Sequence, residues 1–435
     1  MIDLKDLRER PEIYRANMRR KGYGTLKWKD NLVSDVLSLD EQWRGVKLKA
    51  DKLRHERNKI SERINQEKKA NDEKKIRELI KEAKEIPEKL KNLESEEKDL
   101  YDSLMKSLYE IPNLMHLKVP KGKDEKDNKV VKKWGKPKKL KSFRPLNHVE
   151  LTEALDIADY EASSRIAGTG FYYLKKDLAL LNRALVNFAI DFMLKKGYEY
   201  IEPPLMVNRE VEVAKGDFTA FENALYKIEG QDLYLIPTAE DAILGMLKGQ
   251  VVNEEKLPLK LFGYSMCFRK EIGSHGINEK GLWRTHQFNK VEQFVFCKPS
   301  DSWKIYDELL TNTEQIIKAL QLPYRVVEIC TGGLGDWKAR SHDIEVWRPT
   351  IKAYGEIASL SNCTDYQARN LDIKGLGKKG ERYVLHTLNN TALATSRIMV
   401  AILENFQNKD GSVKIPSVLQ KYMGGKKVIG KEKKK

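Results

Sequence analysis

Between residues 39 and 104 the chain carries two runs of apolar residues at alternating steps of four and three. Leu39, Trp43, Val46, Ala50, Leu53, Ile60 and Ile64 make the first, with Arg57 in its one polar seam position. Ile76, Leu79, Ala83, Ile86, Leu90, Leu93, Leu100 and Leu104 make the second. A seven-residue apolar repeat lies on one stripe of a helix, so each run demands a partner helix along its length. The polar stretch KKANDEKK (68–75) between them offers only Ala70 to a core and reads as a turn. Two helices of about 35 residues joined this way fold back as an antiparallel coiled coil ~50 Å long, over about 31–110. Pro87 is expected to kink the second helix or interrupt its hydrogen-bond ladder. The faces away from the seam mix Lys and Arg with Glu, which suits solvent and phosphate equally. Dimerisation, spacing and RNA binding therefore all stay open for this arm.

At 435 residues the chain is too long for one ordinary core, so two domains with connections are expected. Residues 1–117 form the helical domain. Residues 118–144 (KVPKGKDEKDNKVVKKWGKPKKLKSFR) are basic and poor in apolar side chains, and read as a linker or extended loop. From 145 to 435 aromatic and β-branched residues are denser. Strands are expected at YEYIEP, DLYLIPT, LKLFGYSMCF, HQFNKVEQFVF, YRVVEIC, SHDIEVW and YGEIASL, and helices at 176–196, 239–248, 302–320 and 390–408. Grouped strands without regular βαβ alternation imply an α+β domain around a mainly antiparallel sheet. GxxxxGK[ST] and a strand-linked GxGxxG are both missing, so two common nucleotide folds find no support.

Lys and Arg number 80 against 64 Asp and Glu, a net charge of +16. That favours a polyanionic partner without specifying fold or ligand. Mean hydropathy is −0.60, and no run of about 18 uncharged apolar residues suggests a membrane span. The opening MIDLKDLRERPEIYRANMRR is charged from its third residue, so no secretion signal is expected. Cys267, Cys297, Cys330 and Cys363 form no CxxC and no close Cys/His pair. Neither zinc nor a disulfide framework is expected, and the cytoplasm is the expected compartment.

The stretch CFRKEIGSHGINEKGLWRTHQF (267–288) reads as a hairpin with a loop containing Gly273, Gly276 and Gly281. Period-two alternation would place Arg284, His286, Phe288, Lys290 and Glu292 on one face, with Arg269 and Glu271 sharing a face of the other strand. Such a face needs solvent or a charged ligand. Arginines can fork onto phosphate oxygens, and an aromatic between them can stack on a base. Arg397 stands early on the apolar run Ile398 to Leu403. Glu356 with Ser359 offers hard oxygens suited to Mg²⁺ shared with phosphates. Thr238 and Glu240 fall at a strand-to-helix transition, where capping alone would also select them.

In order and detail GYEYIEPPLMV, PTAE, FRKE followed by RTHQFNKVEQF, HDIEVW, EIASLSNCTDYQAR and LNNTALATSR resemble the seryl-tRNA synthetases, a branch of the class II aminoacyl-tRNA synthetases. The resemblance covers nearly the whole chain, because a long helical hairpin ahead of the catalytic domain also belongs to that family. It implies an antiparallel-sheet class II catalytic domain and assigns roles by position. Arg269 would contact the ATP α-phosphate, with Glu271 also at the nucleotide and Arg284 at the phosphates. Phe288 would stack on the adenine. Glu292 and Glu240 would hold the serine ammonium beside Thr238, and Thr391 would read the serine hydroxyl. Glu356 and Ser359 would ligate Mg²⁺, Arg397 would meet the γ-phosphate, and Pro204 would lie at a homodimer interface. TGGLGDW departs from the pattern, with glycine at 333 where many relatives carry an acidic residue.

The activity implied is ATP-dependent, AMP-forming ligation of L-serine to tRNA(Ser), and to tRNA(Sec) where an organism has one. The arm would reach the long variable arm of the tRNA. Mg²⁺ is the implied metal, with no zinc. Two alternatives stay open: activation of an amino acid for a carrier other than tRNA, and a silent RNA-binding or scaffold role. Relatives of the first kind generally lack the arm, which is present here. The second would show losses at Arg269, Glu240 or Arg397, none of which is lost.

Overall fold

The structure is a computed structural model and describes residues 1–23, 31–137, 143–214, 222–271 and 281–430. The glycine loop with Gly273 and Gly276, part of the basic stretch before 144 and the last lysines lie outside the described residues. The chain divides into two compact units, Ile2–Pro112 and Asn113 onward.

In the first unit, α1 (Leu4–Glu9) and α2 (Pro11–Arg20) precede the 38-residue α3 (Leu32–Lys69). The return path is two helices, α4 (Glu73–Ala83) and α5 (Ile86–Tyr109). The turn is shorter than KKANDEKK: Asn71 takes φ 53° and the Asp72 side chain caps α4 by accepting from the Lys75 N–H at 3.1 Å. Pro87 sits in the first turn of α5. The ladder therefore breaks just ahead of it, where a missing N–H costs nothing. Along the seam Val46, Ala50, Ile60, Leu79, Ile86, Leu90 and Leu104 are buried. Trp43 packs on Tyr101 with ring centroids 5.5 Å apart, and Arg54 reaches Glu94 at 3.1 Å. Arg57 escapes the seam to solvent.

In the second unit the strands are β1 (Lys129–Trp134), β2 (Glu199–Ile201), β3 (Leu259–Phe268), β4 (Gln287–Cys297), β5 (Tyr324–Glu328), β6 (Arg340–Arg348), β7 (Ala353–Thr364) and β8 (His386–Ala394). They form one sheet in the order β1-β5-β6-β7-β8-β4-β3-β2. All neighbours are antiparallel except β2 with β3. On one face α6 (Lys176–Lys195), α8 (Ser302–Ala319) and α10 (Thr395–Phe406) bury Leu181, Leu309 and Ile398 against Val291, Val295, Ile344 and Leu388. On the other, α7 (Ala239–Gly245) packs Ile243 and Leu244 against Leu261, Phe294 and Phe296, beside α9 (Tyr366–Asn370). Central strands buried on both faces read as continuous apolar runs rather than alternating ones.

Three expectations change. Residues 129–134, inside the stretch read as a linker, form the edge strand β1, with Trp134 stacked on Tyr324 at 5.8 Å. A lysine-rich strand mimics a linker in composition while blunting an exposed sheet edge. The helix expected at 390–408 begins at Thr395, and residues up to Ala394 belong to β8. A continuous apolar run does not distinguish a buried strand from a buried helix. DLYLIPT supplies only the two-residue strand Tyr234–Leu235, paired with Met206–Val207 outside the main sheet. Among the described residues no helix is long and apolar enough to cross a membrane.

Candidate active site

One open cleft is lined by Thr238, Glu240, Arg269, Glu271, Arg284, Phe288, Glu292, Glu356, Ser359, Thr391 and Arg397. These are all the site residues expected from the sequence except Pro204, which is exposed beyond β2 and away from the cleft.

Phe288, Lys290 and Glu292 alternate along β4 and so share a face. Phe294 and Phe296 continue that face into the core under α7, which anchors the strand at the dry end. The Arg269 guanidinium lies 5.2 Å from the centre of the Phe288 ring, and its Nε donates to the Pro237 carbonyl at 3.3 Å. Arg269 and Glu271 lie just past the end of β3, and Glu271 has φ 50°. Arg284 Nη1 meets the Glu271 carboxylate at 3.4 Å. His286 is not on this face. It stacks on Phe171 at 4.9 Å, and its Nδ1 lies 2.9 Å from the Arg269 carbonyl and 3.0 Å from the Tyr226 hydroxyl. Residues 281–286 precede β4, so strand alternation does not govern them.

Thr238 caps α7: its hydroxyl accepts from the Glu240 N–H at 3.2 Å and from Lys290 Nζ at 2.7 Å. Thr391 is the direct cross-strand partner of Glu292, and its hydroxyl donates to Glu292 Oε2 at 3.1 Å. Lys290 Nζ meets the same oxygen at 2.8 Å. Burial raises Glu292 above the usual carboxylate range, Lys290 counteracts that, and the Glu240 charge reinforces it. Glu240 is oriented by Gln367 of α9 and Asn389 of β8, each donating to its Oε1 at 2.9 Å. Sequence reasoning quoted these last two within TDYQAR and LNNTALATSR but gave them no role. Lys290 was placed on the face without a task, and Trp283 was missed.

Glu356 and Ser359 are three apart, so strict alternation would send them to opposite faces. A bulge opposite Ile344 and Glu345 makes β7 one residue longer than β6 at this point. The bulge restores both side chains to the cleft. The Glu356 carboxylate pairs with Arg397 Nη1 at 3.2 Å, and its carbonyl accepts from the same nitrogen at 2.8 Å. Trp283 meets two cations, its ring centre 4.2 Å from the Arg348 guanidinium and 5.5 Å from that of Arg397. Asp343, paired in register with Ser359, is pushed up to about 7 by burial and then by the Glu356 charge. Glu356 and Ser359 bring a carboxylate and a hydroxyl, both hard oxygen donors, to the lining of the same cleft. That fits a cation such as Mg²⁺, which takes one or two protein oxygens and completes its shell with phosphate and water. Among the described residues no cluster of three or more His, Cys, Asp or Glu could hold a metal by itself. The four cysteines are buried and free.

Comparison with known proteins identifies the family of the fold that carries this cleft. Residues 223–406 match the tRNA synthetase class II core domain (G, H, P, S and T), and residues 1–115 match the seryl-tRNA synthetase N-terminal domain. The serine–tRNA ligase of Methanocella arvoryzae is 47% identical over 429 residues, covering 98% of this chain and 99% of that protein. The seryl-tRNA synthetase of Pyrococcus horikoshii, crystallised in complex with ATP, aligns with a TM-score of 0.90 at 41% identity over the full length of both chains. The cytoplasmic serine–tRNA ligase of Naegleria fowleri in complex with AMP aligns with a TM-score of 0.83 at 36% identity, over 97% of this chain and 95% of that one. The α+β fold built on a mainly antiparallel sheet, preceded by a long helical hairpin, is therefore shared end to end, and the chain belongs to the seryl-tRNA synthetase family.

Proposed function

We propose that the chain activates L-serine with ATP, releasing pyrophosphate, and transfers the seryl group to the 3′-terminal ribose of tRNA(Ser), with tRNA(Sec) a second carrier where one exists. One observation carries this reading. A single cleft joins a cationic, aromatic end, where Arg269 lies over Phe288, to an acidic, hydroxyl-bearing end made by Glu292, Thr391, Thr238 and Glu240. Phe288 stacks on the adenine, and Arg269, Arg284 and Arg397 take the phosphates, with Glu271 at the nucleotide. Glu240 and Glu292 take the serine ammonium, and Thr391 the hydroxyl.

In this reading a serine carboxylate oxygen attacks the α-phosphorus in line while the bond to the pyrophosphate oxygen breaks. Negative charge moving onto the phosphates is met by fixed guanidinium groups, so the catalysis is positioning and electrostatics with no protein nucleophile. Glu356 and Ser359 would hold Mg²⁺, which when bound neutralises phosphate charge. A terminal ribose oxygen of the tRNA then attacks the seryl carbonyl carbon and AMP leaves. Alanine is rejected because the hydroxyl partners at the acidic end would be left unsatisfied.

The same reading makes residues 1–117 the tRNA-binding domain, with the arm over about 31–110 reaching the variable arm of tRNA(Ser), and 145–435 the catalytic domain. It makes the protein a cytoplasmic homodimer with Pro204 near its interface. Amino-acid-dependent ATP–pyrophosphate exchange, run over the standard amino acids with Mg²⁺ and no tRNA, tests the core of it. Serine alone should support exchange, and Arg269→Ala should lower it by at least about 100-fold. Exchange with another amino acid overturns the pocket assignment, and near-normal exchange by Arg269→Ala removes that residue's role.

A further inference from the structure

Lys290 is an unusual lysine. Its side chain is 7% exposed and that of its partner Glu292 is 2% exposed. A buried ammonium is tolerated only when it is paired and hydrogen-bonded. Both partners of Lys290 Nζ stand at the acidic end of the cleft: Glu292 Oε2 at 2.8 Å and Thr238 Oγ1 at 2.7 Å. A tie needed only for stability could be made anywhere along β4. This one joins the strand to the cap of α7 at the point where an incoming ammonium has to be received.

We propose that Lys290 is a positioning residue of the amino-acid subsite, a resident ammonium that keeps Glu292 and Thr238 set for the substrate's own ammonium. The proposal rests on the reading of this end of the cleft as the serine subsite. Glu240 and Glu292 bring two carboxylates to it, and Lys290 offsets one. The subsite is left with one unmatched negative charge, the complement of one ammonium. Without Lys290, Glu292 would keep the unfavourable charge of Glu240 and lose its own cation, and the Thr238 hydroxyl would lose a donor. Glu292 would then take up a proton more readily and lose the charge that receives the substrate.

The test is steady-state exchange by the full chain. Lys290→Met should raise the serine KM by at least about tenfold, as expected for removing one partner of a buried charge pair, and leave the ATP KM within about twofold. Its serine KM should fall as pH rises from 6 to 8, because Glu292 is already held high by burial and by Glu240 and would move higher without its cation. The native chain should show a flatter dependence over the same range. Lys290→Gln keeps a donor and drops the charge, and should show the same pH dependence if the Met variant fails to fold. Lys290→Arg should recover part of the serine affinity. An unchanged serine KM and pH profile in both neutral variants would overturn the proposal, as would equal losses for serine and ATP. Failure of the native chain to activate serine would instead overturn the functional reading beneath it.

Discussion

Glu404 lies fully buried on α10 and accepts from Arg348 at 2.8 and 3.3 Å and from the Thr350 hydroxyl at 2.7 Å, with His148 Nδ1 3.4 Å away. Burial alone would raise its pKa, but the nearby His148 imidazole, the hydrogen bonds and charge of Arg348 and the Thr350 hydroxyl outweigh it and hold the carboxyl below its usual range. The residue binds no substrate in the proposed chemistry, yet Arg348 continues to Trp283 and so to Arg397. Removing one member of a buried pair leaves the other uncompensated, so Glu404→Gln should destabilise the chain by about 3–5 kcal/mol, read by urea unfolding at pH 7. A carboxyl with a depressed folded-state pKa stabilises above its unfolded value, and that contribution is lost as pH falls through the folded value. The gap between native chain and variant should therefore be full at pH 6 and close on acidification below the ordinary carboxylate pKa of about 4.3. A gap that stays constant down to pH 3 would show that packing, and not the ion pair, sets it.

At the scale of elements, the β7 bulge decides the site. Gly355, just ahead of it, faces the Trp283 ring so closely that an added Cβ would stand 2.4 Å from Cζ2. The Trp283 carbonyl in turn accepts from Arg397 Nε at 3.3 Å. Gly355→Ala should push the indole aside, loosen Arg397 and lower the kcat of exchange by about tenfold or more, the scale on which small misplacements near a reacting centre act. The serine KM should hold within about threefold. An unchanged kcat would mean that the indole has room to move without disturbing Arg397. The heptad arm, the β3–β4 hairpin and α8 were legible in the sequence because each carries a regular period or a clear cap. β8 was not, because LNNTALA is buried on both faces and runs straight into the apolar helix that follows. Glu356 and Ser359 could be named from resemblance, but their shared orientation depends on one extra residue, for which an odd spacing in sequence gives no sign. Lys290 and Trp283 were visible as letters. Their work depends on distances across strands that no local pattern encodes.

For the whole molecule, every residue lining the cleft belongs to the unit that begins at Asn113. Among the described residues the cleft is built within that one unit, so adenylate chemistry and carrier recognition should separate. The structure indicates where to cut. Arg54 and Glu94 face each other across the hairpin, Trp43 packs on Tyr101 nearer the base, and Arg8 grips the buried Asp40 at 2.6 Å. Replacing residues 56–92 with a short Gly/Ser turn removes the distal part and leaves those ties intact. Exchange should stay within about twofold of the native chain, whereas serylation of tRNA(Ser) should fall by at least about 100-fold. The loss should lie mainly in the KM for tRNA, since removal of uniform binding raises KM and spares kcat. The native reaction should also weaken steeply with salt, as phosphate contacts to a cationic surface require, and the truncated chain should show a smaller slope. Equal losses of exchange and charging would make the arm a structural part of the catalytic unit. Undiminished charging would place tRNA recognition on the remaining surface, which keeps most of the chain's positive charge because the 12 Lys and Arg of residues 56–92 are nearly matched by 9 Asp and Glu.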